Sequence, residues 1–244
     1  MRVIIPAAGY ATRLYPLTLN QPKHLLDVNG KPIIEYVVRK IEELENVNEI
    51  FIVSNAKFFA NFDEWSKSYK CNIPLHILND GTTSHDDKLG TIGDIKFVMD
   101  QAGIDDDLLV LSGDNLFNFS LEAVNAEFSR TTHNINAVYD IQSVEDAKQL
   151  GVVTLGKDSK IVGFQEKPSS PKSTLISMGI YFFPRKNVQL ISEYVNKGNN
   201  PDKMGYFMEW LIANDVVYGF IYKEKWFDIG NPNLLEQARK EFTG

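Results

Sequence analysis

Short runs of uninterrupted apolar residues alternate with helix-like patterns through the first half of this sequence. Ile50–Ser54 and Leu108–Ser112 have no polar residue before their last position, which is typical of strands buried on both faces. Ile33–Leu44 and Thr91–Ala102, each of which precedes one of these strands, fit helices. Strands that alternate with helices predict a Rossmann-like α/β fold of three layers, in which helices cover both faces of a mostly parallel central sheet.

The second half of the chain has a different pattern. Four strand-like segments follow one another with short connections, at Asn136–Ile141, Gly151–Leu155, Ile161–Glu166 and Ile176–Phe183. They predict a mixed, partly antiparallel addition to the sheet. The 244 residues contain no repeat, low-complexity tract or linker, so we expect a single domain of residues 1–244.

The N-terminal strand, Arg2–Ile5, runs directly into a loop of small residues that contains Gly9. Small side chains let backbone N–H groups approach an anion closely. Arg13 adds a bidentate phosphate donor and Lys23 a second positive charge. In open α/β sheets ligands bind at the carboxyl ends of strands, where this loop lies, so we predict a phosphate site here. The loop lacks the glycine patterns of P-loops and dinucleotide-binding folds, which disfavours a nicotinamide-dependent dehydrogenase.

The bulk composition argues against several other functions. With 25 basic and 32 acidic residues the net charge is −7, whereas broad nucleic-acid binding needs clustered Lys and Arg. Cys71 is the only cysteine, so no intrachain disulfide or zinc site built from several cysteines is expected. No apolar run approaches the roughly 20 residues that span a bilayer. We therefore expect a cytoplasmic protein that does not insert into membranes and does not bind nucleic acid.

The run from Ile5 to Thr18, with Pro22-Lys23 and Gly30-Lys31-Pro32, resembles the signature of the sugar-1-phosphate nucleotidyltransferases, of which the glucose-1-phosphate thymidylyltransferases are typical. The resemblance continues in the same order to about residue 238. Its short motifs are Leu89-Gly90-Thr91, Gly113-Asp114-Asn115, Gly151-Val152-Val153, Glu166-Lys167-Pro168, Gly179-Ile180-Tyr181 and Trp226-Phe227-Asp228-Ile229-Gly230. Each motif is weak alone, but together, in order, they are a strong signal.

The resemblance implies transfer of a nucleoside monophosphate from a nucleoside triphosphate to a sugar 1-phosphate, with release of pyrophosphate. It also implies that Asp114 and Asp228 hold a Mg²⁺ ion, which prefers one or two carboxylates plus phosphate oxygens and water. A charged Asp114 at the end of a buried strand needs such a reason, because an unpaired buried charge is costly. Arg13 and Lys23 would be the catalytic cations.

The same resemblance assigns the binding residues. The nucleotide would be bound by Ala8, Gly9, Tyr10, Ala11, Thr12, Arg13, Asn79, Lys88, Gly90, Thr91 and Asp114. The sugar phosphate would be bound by Lys23, Gly151, Glu166, Lys167 and Ser177, with Lys167 on the phosphate and Glu166 on sugar hydroxyls. Residues 1–115 would then form the nucleotide-binding half of the domain, and residues 116–244 the sugar-phosphate-binding half.

Several alternatives stay open. The resemblance allows dTTP, UTP or CTP, since Lys88 stands where some relatives have Gln, and it leaves the sugar open, since Ser177 stands where some have Asn. A cytidylyltransferase for a phosphorylated alcohol such as phosphocholine would use the same fold. A non-catalytic regulatory relative is disfavoured, because both aspartates and all the cations are present. Relatives commonly associate, so the chain is also compatible with a homo-oligomer.

Overall fold

The computed structural model describes residues 1–243, which form two compact units. The first unit contains residues 1–89, residues 111–122 and the C-terminal segment from residue 224, and the second unit contains residues 90–110 and 123–223. The halves 1–115 and 116–244 of the sequence prediction do not coincide with these units, because residues 90–110 fold with the second unit and the C-terminal segment folds with the first. The assignment of one ligand to each half stays a prediction.

The regular elements are numbered in chain order. The strands are β1 (Arg2–Pro6), β2 (Asp27–Val28), β3 (Lys31–Pro32), β4 (Glu49–Ser54), β5 (Leu75–Asn79), β6 (Leu108–Leu111), β7 (Asn115–Phe117), β8 (Asn134–Asp140), β9 (Gly151–Leu155), β10 (Ile161–Glu166), β11 (Leu175–Phe183), β12 (Val217–Tyr222) and β13 (Trp226–Asp228). The α-helices are α1 (Ile33–Glu42), α2 (Phe59–Ser68), α3 (Thr91–Ala102), α4 (Glu122–Thr131), α5 (Val144–Ala147), α6 (Arg185–Asn196), α7 (Met204–Asn214) and α8 (Pro232–Glu241).

β1, β4 and β5 of the first unit are parallel neighbours, with Arg2 opposite Glu49 and Ile50 opposite Leu75. The three central residues of β1 are completely buried, which explains why this strand is an uninterrupted apolar run. Because parallel strands end on the same edge of a sheet, the loops that follow these three strands emerge side by side.

A buried apolar cluster holds the C-terminal segment in the first unit. Its members are Leu14, Leu26, Val28, Ile33, Tyr36, Leu116, Ile229, Leu235, Ala238 and Phe242. Leu116 on β7 and Ile229 after β13 are both completely buried in it. Since burial of apolar surface is the main stabilising contribution to folding, this cluster also keeps β13 beside β7.

The second unit contains a mixed sheet. β8 pairs antiparallel with β11 and parallel with β12, and β9 pairs antiparallel with both β10 and β11. Helix α7 packs against β10, and α3 packs against α6. The rings of Phe183, Tyr194, Phe207 and Trp210 contact one another between strand and helices, with centroids 5.3 to 6.0 Å apart. This aromatic packing holds α7 against β11 and α6.

The predicted α/β class is confirmed, with parallel strands first and a mixed part added later. Helix α3 and strands β9 and β10 begin and end at the predicted residues, and most other predicted elements shift by a few residues. The sequence patterns do not predict α2, α4, β7 or β13. Strands of three residues, such as β7 and β13, are too short to show a periodicity.

Within residues 1–243, no helix has the length and apolar character that crossing a membrane requires.

We expect Leu116→Ala to lower the free energy of unfolding by about 2–5 kcal/mol, because it opens a cavity in the cluster that holds α8. Urea denaturation followed by tryptophan fluorescence would measure this loss. Val162→Ala is the matched control, since Val162 is 57% exposed and its truncation should cost less than about 0.5 kcal/mol. Equal losses in the two variants would contradict the role of the cluster.

Candidate functional site

The loop after β1 is held in place by the neighbouring strand. The backbone N–H of Ala7 donates to the carbonyl of Val53 at 2.8 Å, and the Asn55 side-chain amide donates to the carbonyl of Ala8 at 2.7 Å. Asn55 is completely buried, so its hydrogen bond holds the loop from the protein interior. Gly9 is exposed, and a methyl group there would meet nothing within 4 Å. The loop therefore presents bare backbone to solvent in a conformation that the fold sets in advance.

The loop then turns sharply at Ala11, which has a left-handed backbone with φ of 47°. Its carbonyl accepts hydrogen bonds from the N–H of Leu14 at 3.0 Å and from the hydroxyl of the buried Thr18 at 2.8 Å. These bonds stabilise a short 3-10 turn, Thr12–Leu14, on which Arg13 is exposed. The guanidinium is thus available to an anion at the edge of the loop.

Lys23 lies on a second 3-10 turn, Lys23–Leu25, and its ammonium donates to the carboxylate of Asp114 in a salt bridge. Only 19% of the Lys23 side chain and 18% of the Asp114 side chain are exposed. Asp114 follows β6 directly after Gly113, where a methyl group would come within 2.7 Å of Ile5 and 2.9 Å of Ile34. The absence of a side chain at this position lets the backbone that carries Asp114 pass close to β1 and α1.

Asp228 joins these residues through β-sheet pairing. β13 runs antiparallel to β7 with Asp228 opposite Asn115, and the N–H of Ile229 donates to the carbonyl of Asp114 at 3.3 Å. The two aspartates are therefore neighbours across a two-stranded sheet, although they are far apart in sequence. The structure thus brings Asp114, Asp228 and Lys23 together, as the sequence analysis predicts.

The pKa of Lys23 shows how closely these charges interact. Burial alone would lower the pKa of the ammonium, but the carboxylates of Asp114 and Asp228 outweigh burial and raise it above its usual value, while Arg13 opposes them. Burial likewise disfavours the ionised form of Asp114, yet the Lys23 ammonium keeps the pKa of that carboxyl below its usual value. Both partners are therefore charged at neutral pH.

His24, which the sequence analysis did not select, is part of the same site. It is 4% exposed, its ring lies 5.9 Å from that of Phe62, and its Nδ1 has no hydrogen-bond partner among residues 1–243. Burial lowers the pKa of His24 to about 4, so the ring is neutral at pH 7. In the sequence, the one indication of this role is that His24 directly follows Lys23. The four histidines are spread along the chain, so none of them stands out as a site residue.

Two of the predicted nucleotide-binding residues, Asn79 and Lys88, lie at the end of β5 and on the loop that follows it. Asn79 is exposed and accepts a hydrogen bond from the N–H of Gly81 at 2.9 Å, and Lys88 is exposed further along the loop. Tyr10 is buried, and its pKa is raised by burial although the neighbouring Thr82 partly offsets this effect. In the first unit, Tyr10 thus connects the loop after β1 with the loop after β5.

Gly90 and Thr91 belong to the second unit. A methyl group on Gly90 would come within 2.5 Å of the Cα of Asp202, and the N–H of Thr91 donates to the carbonyl of Asp202 at 3.0 Å. Gly90 also has a φ of 80°, which favours glycine. These contacts fix the start of α3 against the segment before α7.

In the second unit, Glu166 ends β10 opposite Gly151 on β9, and Lys167 follows it with an exposed side chain. The Glu166 carboxylate lies directly over Gly205 of α7, where a methyl group would come within 2.2 Å of Oε2. Burial raises the pKa of Glu166, while the ammonium groups of Lys167 and Lys203 act to lower it. The structure therefore brings Gly151, Glu166 and Lys167 together, as predicted.

Ser177 lies in the second unit but is 9% exposed, and its hydroxyl already bonds to other side chains. It accepts from the Asn136 amide at 2.9 Å and donates to the Tyr181 hydroxyl at 2.8 Å. Glu166 acts electrostatically on Tyr181, so the network extends toward that carboxylate. The hydroxyl of Ser177 thus bonds to Asn136 and Tyr181, and its predicted sugar-binding role stays a prediction. The sequence analysis missed Gly205 and Lys203, which are about 40 residues from Glu166 in the chain.

Comparison with known sequences gives one consistent family. The sequence profile of the nucleotidyl transferase family matches residues 2–243. The bifunctional protein GlmU of Methanocaldococcus jannaschii is 30% identical over 240 residues, which cover 98% of this chain and 54% of that protein. A protein of Sulfolobus acidocaldarius, provisionally named a mannose-1-phosphate guanyltransferase, is 29% identical over 230 residues, which cover 94% of this chain and 59% of that protein. The chain thus spans about half the length of the curated relatives it matches.

Comparison with solved structures gives the same fold. A Bacillus anthracis protein, provisionally named a glucose-1-phosphate thymidylyltransferase and crystallised with sucrose, aligns with a TM-score of 0.83 at 23% identity and covers 98% of this chain and 94% of its own. A UDP-glucose pyrophosphorylase from Acinetobacter baumannii aligns with a TM-score of 0.79 at 20% identity and covers 98% of this chain and 91% of its own. These likenesses confirm the predicted Rossmann-like fold class.

We expect His24 to make the free energy of unfolding fall between pH 6.5 and about pH 4. The folded pKa of His24, about 4, lies below its unfolded value of 6.5, so its stabilising contribution is complete above pH 6.5 and is lost as protons bind the unfolded chain at lower pH. A shift of this size corresponds to up to about 3 kcal/mol. Urea titrations at several pH values should show a shallower fall for His24→Asn than for the wild type. His85→Asn, at an exposed position, is the control, and an unchanged slope in His24→Asn would refute the assignment.

Gly205→Ala should displace the Glu166 carboxylate, because the added methyl would overlap Oε2. We expect a loss of about 1–3 kcal/mol in the free energy of unfolding, as is usual for overpacking. In a Glu166→Gly background the same substitution should cost clearly less, since the overlapping atoms are gone. Gly9→Ala is the control, because a methyl group there meets nothing. Equal costs with and without the Glu166 side chain would show that this contact is not close.

Proposed function

The chain belongs to the nucleotidyl transferase family, and we propose that it transfers a nucleoside monophosphate from a nucleoside triphosphate to a sugar 1-phosphate. The observation that carries this proposal is the grouping of Lys23, Asp114, Asp228 and Arg13 in the first unit. Two carboxylates and two cations at the edge of a bare backbone loop are suited to a substrate that carries several phosphates.

The proposed reaction is an in-line displacement. A phosphate oxygen of the sugar 1-phosphate attacks the α-phosphorus of the triphosphate, the bond to the β-phosphate bridge oxygen breaks, and pyrophosphate leaves with those electrons. The nucleophile needs no strong base, because a phosphate monoester with a second pKa near 6 is mostly dianionic at pH 7. The task of the protein is therefore to bring two anions together and hold them in line, and positioning can supply roughly 7–11 kcal/mol.

Arg13 and Lys23 would offset the repulsion between the two anions. Arg13 is exposed on the turn after the loop and can grip a phosphate with its planar guanidinium. Lys23 adds a compact charge on a flexible stem. The N–H groups of the loop around Gly9 would hold further phosphate oxygens, because no side chain covers them.

Asp114 and Asp228 fit a Mg²⁺ ion. Within residues 1–243 no group of three or more His, Cys, Asp or Glu side chains could hold a metal, so such an ion would depend on two carboxylates together with substrate phosphates. Magnesium commonly binds in this way, through one or two carboxylates, phosphate oxygens and water. Both carboxylates already interact with one cation, the Lys23 ammonium, which supports their fit to another. The ion would supply positive charge to the phosphate oxygens.

The residues of the second unit would bind the sugar phosphate. Lys167 is exposed beside Glu166 and suits the phosphate, while the Glu166 carboxylate can accept hydroxyl groups of a sugar. Gly151 lies opposite Glu166, and a methyl group there would come within 2.7 Å of the Phe164 ring and 3.7 Å of the Glu166 Oε2. Asn79 at the end of β5 and Lys88 on the loop that follows would contact the base. Two relatives carry names that refer to glucose and mannose 1-phosphates, so both sugars belong in the test.

A matrix of nucleoside triphosphates against phosphorylated acceptors would test the proposal. We expect pyrophosphate release and a nucleotide-sugar product, identified by mass, when one of dTTP, UTP, CTP or GTP is combined with glucose or mannose 1-phosphate and Mg²⁺. Asp228→Asn should fall to the background rate and is the control for contaminating enzymes. Turnover with phosphocholine alone would favour the cytidylyltransferase alternative, and binding without any turnover would favour a regulatory relative.

A further inference from the structure

The Lys23 ammonium interacts with both of the carboxylates that fit a metal ion. It forms a salt bridge with Asp114, and Asp228 lies beside Asp114 because β13 pairs with β7. When ionised, the two carboxylates and the two cations Lys23 and Arg13 have charges that cancel. A divalent ion added to this set without an anionic partner would leave an excess of two positive charges near a mostly buried salt bridge.

We propose that Lys23 is an internal counter-ion that competes with the divalent metal for Asp114 and Asp228 and leaves them when phosphate groups arrive. This inference rests on the proposed function, because it assumes that the substrate brings the phosphates. It adds that metal and triphosphate bind cooperatively not only because the phosphates contact the metal but also because both act on the Lys23 side chain. Such coupling is reciprocal, so the metal also strengthens triphosphate binding to the same extent.

The local structure allows Lys23 to move while its backbone stays in place. The turn that carries it is closed by hydrogen bonds from Leu25 to Pro22 at 3.0 Å and from Leu26 to Lys23 at 3.0 Å. The next residue, His24, is buried against Phe62 and anchors the turn. Only the four-carbon stem of Lys23 is free to change its rotamer, and a lysine is suited to this because its charge is compact and its stem flexible.

The salt bridge also explains how Asp114 can be present without a metal. A mostly buried carboxylate that loses its only close cation becomes strongly destabilising. With Lys23 in place, Asp114 has a partner before any ligand binds. The stability of this resting state weakens metal binding, because each metal ion must first displace the ammonium. A triphosphate removes this obstacle, since it gives Lys23 new anionic partners.

The test measures binding of Mn²⁺ alone, without nucleotide or sugar, by electron paramagnetic resonance of the free ion. We expect Lys23→Met to bind Mn²⁺ at least tenfold more tightly than the wild type. Lys67→Met is the matched control, because it removes the same charge from an exposed salt bridge with Asp63 and should leave the affinity unchanged. Arg13→Met removes a nearby charge but leaves the Lys23–Asp114 salt bridge in place, so its gain in Mn²⁺ affinity should be clearly smaller than that of Lys23→Met.

Thermal unfolding gives a second readout. Lys23→Met should melt at a lower temperature than the wild type in EDTA, and Mn²⁺ should raise its melting temperature by more than it raises that of the wild type. The double variant Lys23→Met with Asp114→Asn should lose this gain. If Lys23→Met binds Mn²⁺ no more tightly than the wild type, or is not stabilised by it more than the wild type, the proposal is wrong.

These outcomes are distinct from those of the proposed function. If Lys23→Met binds Mn²⁺ more tightly but the wild type transfers no nucleotide, the proposed reaction is wrong and the counter-ion role of Lys23 is supported. If the wild type transfers a nucleotide but Lys23→Met binds Mn²⁺ with unchanged affinity, the proposed reaction is supported and the counter-ion role of Lys23 is wrong.

Discussion

Asp114 must carry a negative charge in a place where only a small part of its side chain reaches water, and much of the first unit is arranged around that requirement. Gly113 lets the backbone approach β1 and α1, the turn at Lys23 supplies an ammonium, and the pairing of β7 with β13 adds a second carboxylate. His24, which is neutral, packs next to these residues without adding a charge. The small-residue loop after β1 completes a region in which charges are close together but balanced.

The second unit holds its own mostly buried carboxylate differently. The Glu166 side chain is 11% exposed, its salt bridge to the Lys203 ammonium is long, at 3.8 Å, and burial raises the pKa of its carboxyl. Its position depends instead on shape, because Gly205 leaves space for the carboxylate at the start of α7. A carboxylate that is positioned by packing can accept hydrogen bonds from hydroxyl groups. A carboxylate that is paired with a cation is suited to exchange that cation for another. The two environments therefore match the two kinds of ligand proposed here.

The sequence predicted the elements with strong periodicity and the charged residues of the motifs, but not the contacts between distant segments. α3 was predicted to the residue over twelve positions, and so were the shorter strands β9 and β10, of five and six residues. The meeting of Asp114 with Asp228 was implied only by family resemblance, since β7 and β13 are too short to leave a pattern. Gly205 and His24 could not be selected, because the role of each depends on a neighbour that packing alone brings close. Similarly, the hydroxyl of Ser177 is turned to Asn136 and Tyr181 by tertiary packing.

The return of the C-terminal segment to the first unit has a consequence for synthesis on the ribosome. Domains generally form as their segments emerge, but here β13 and α8 leave the exit tunnel long after the rest of their unit. Until then Leu116 lacks the cluster members of the C-terminal segment, and Asp114 lacks its neighbour Asp228. The ion pair of Asp114 with Lys23 can therefore form before the second carboxylate and the closing helix have been translated.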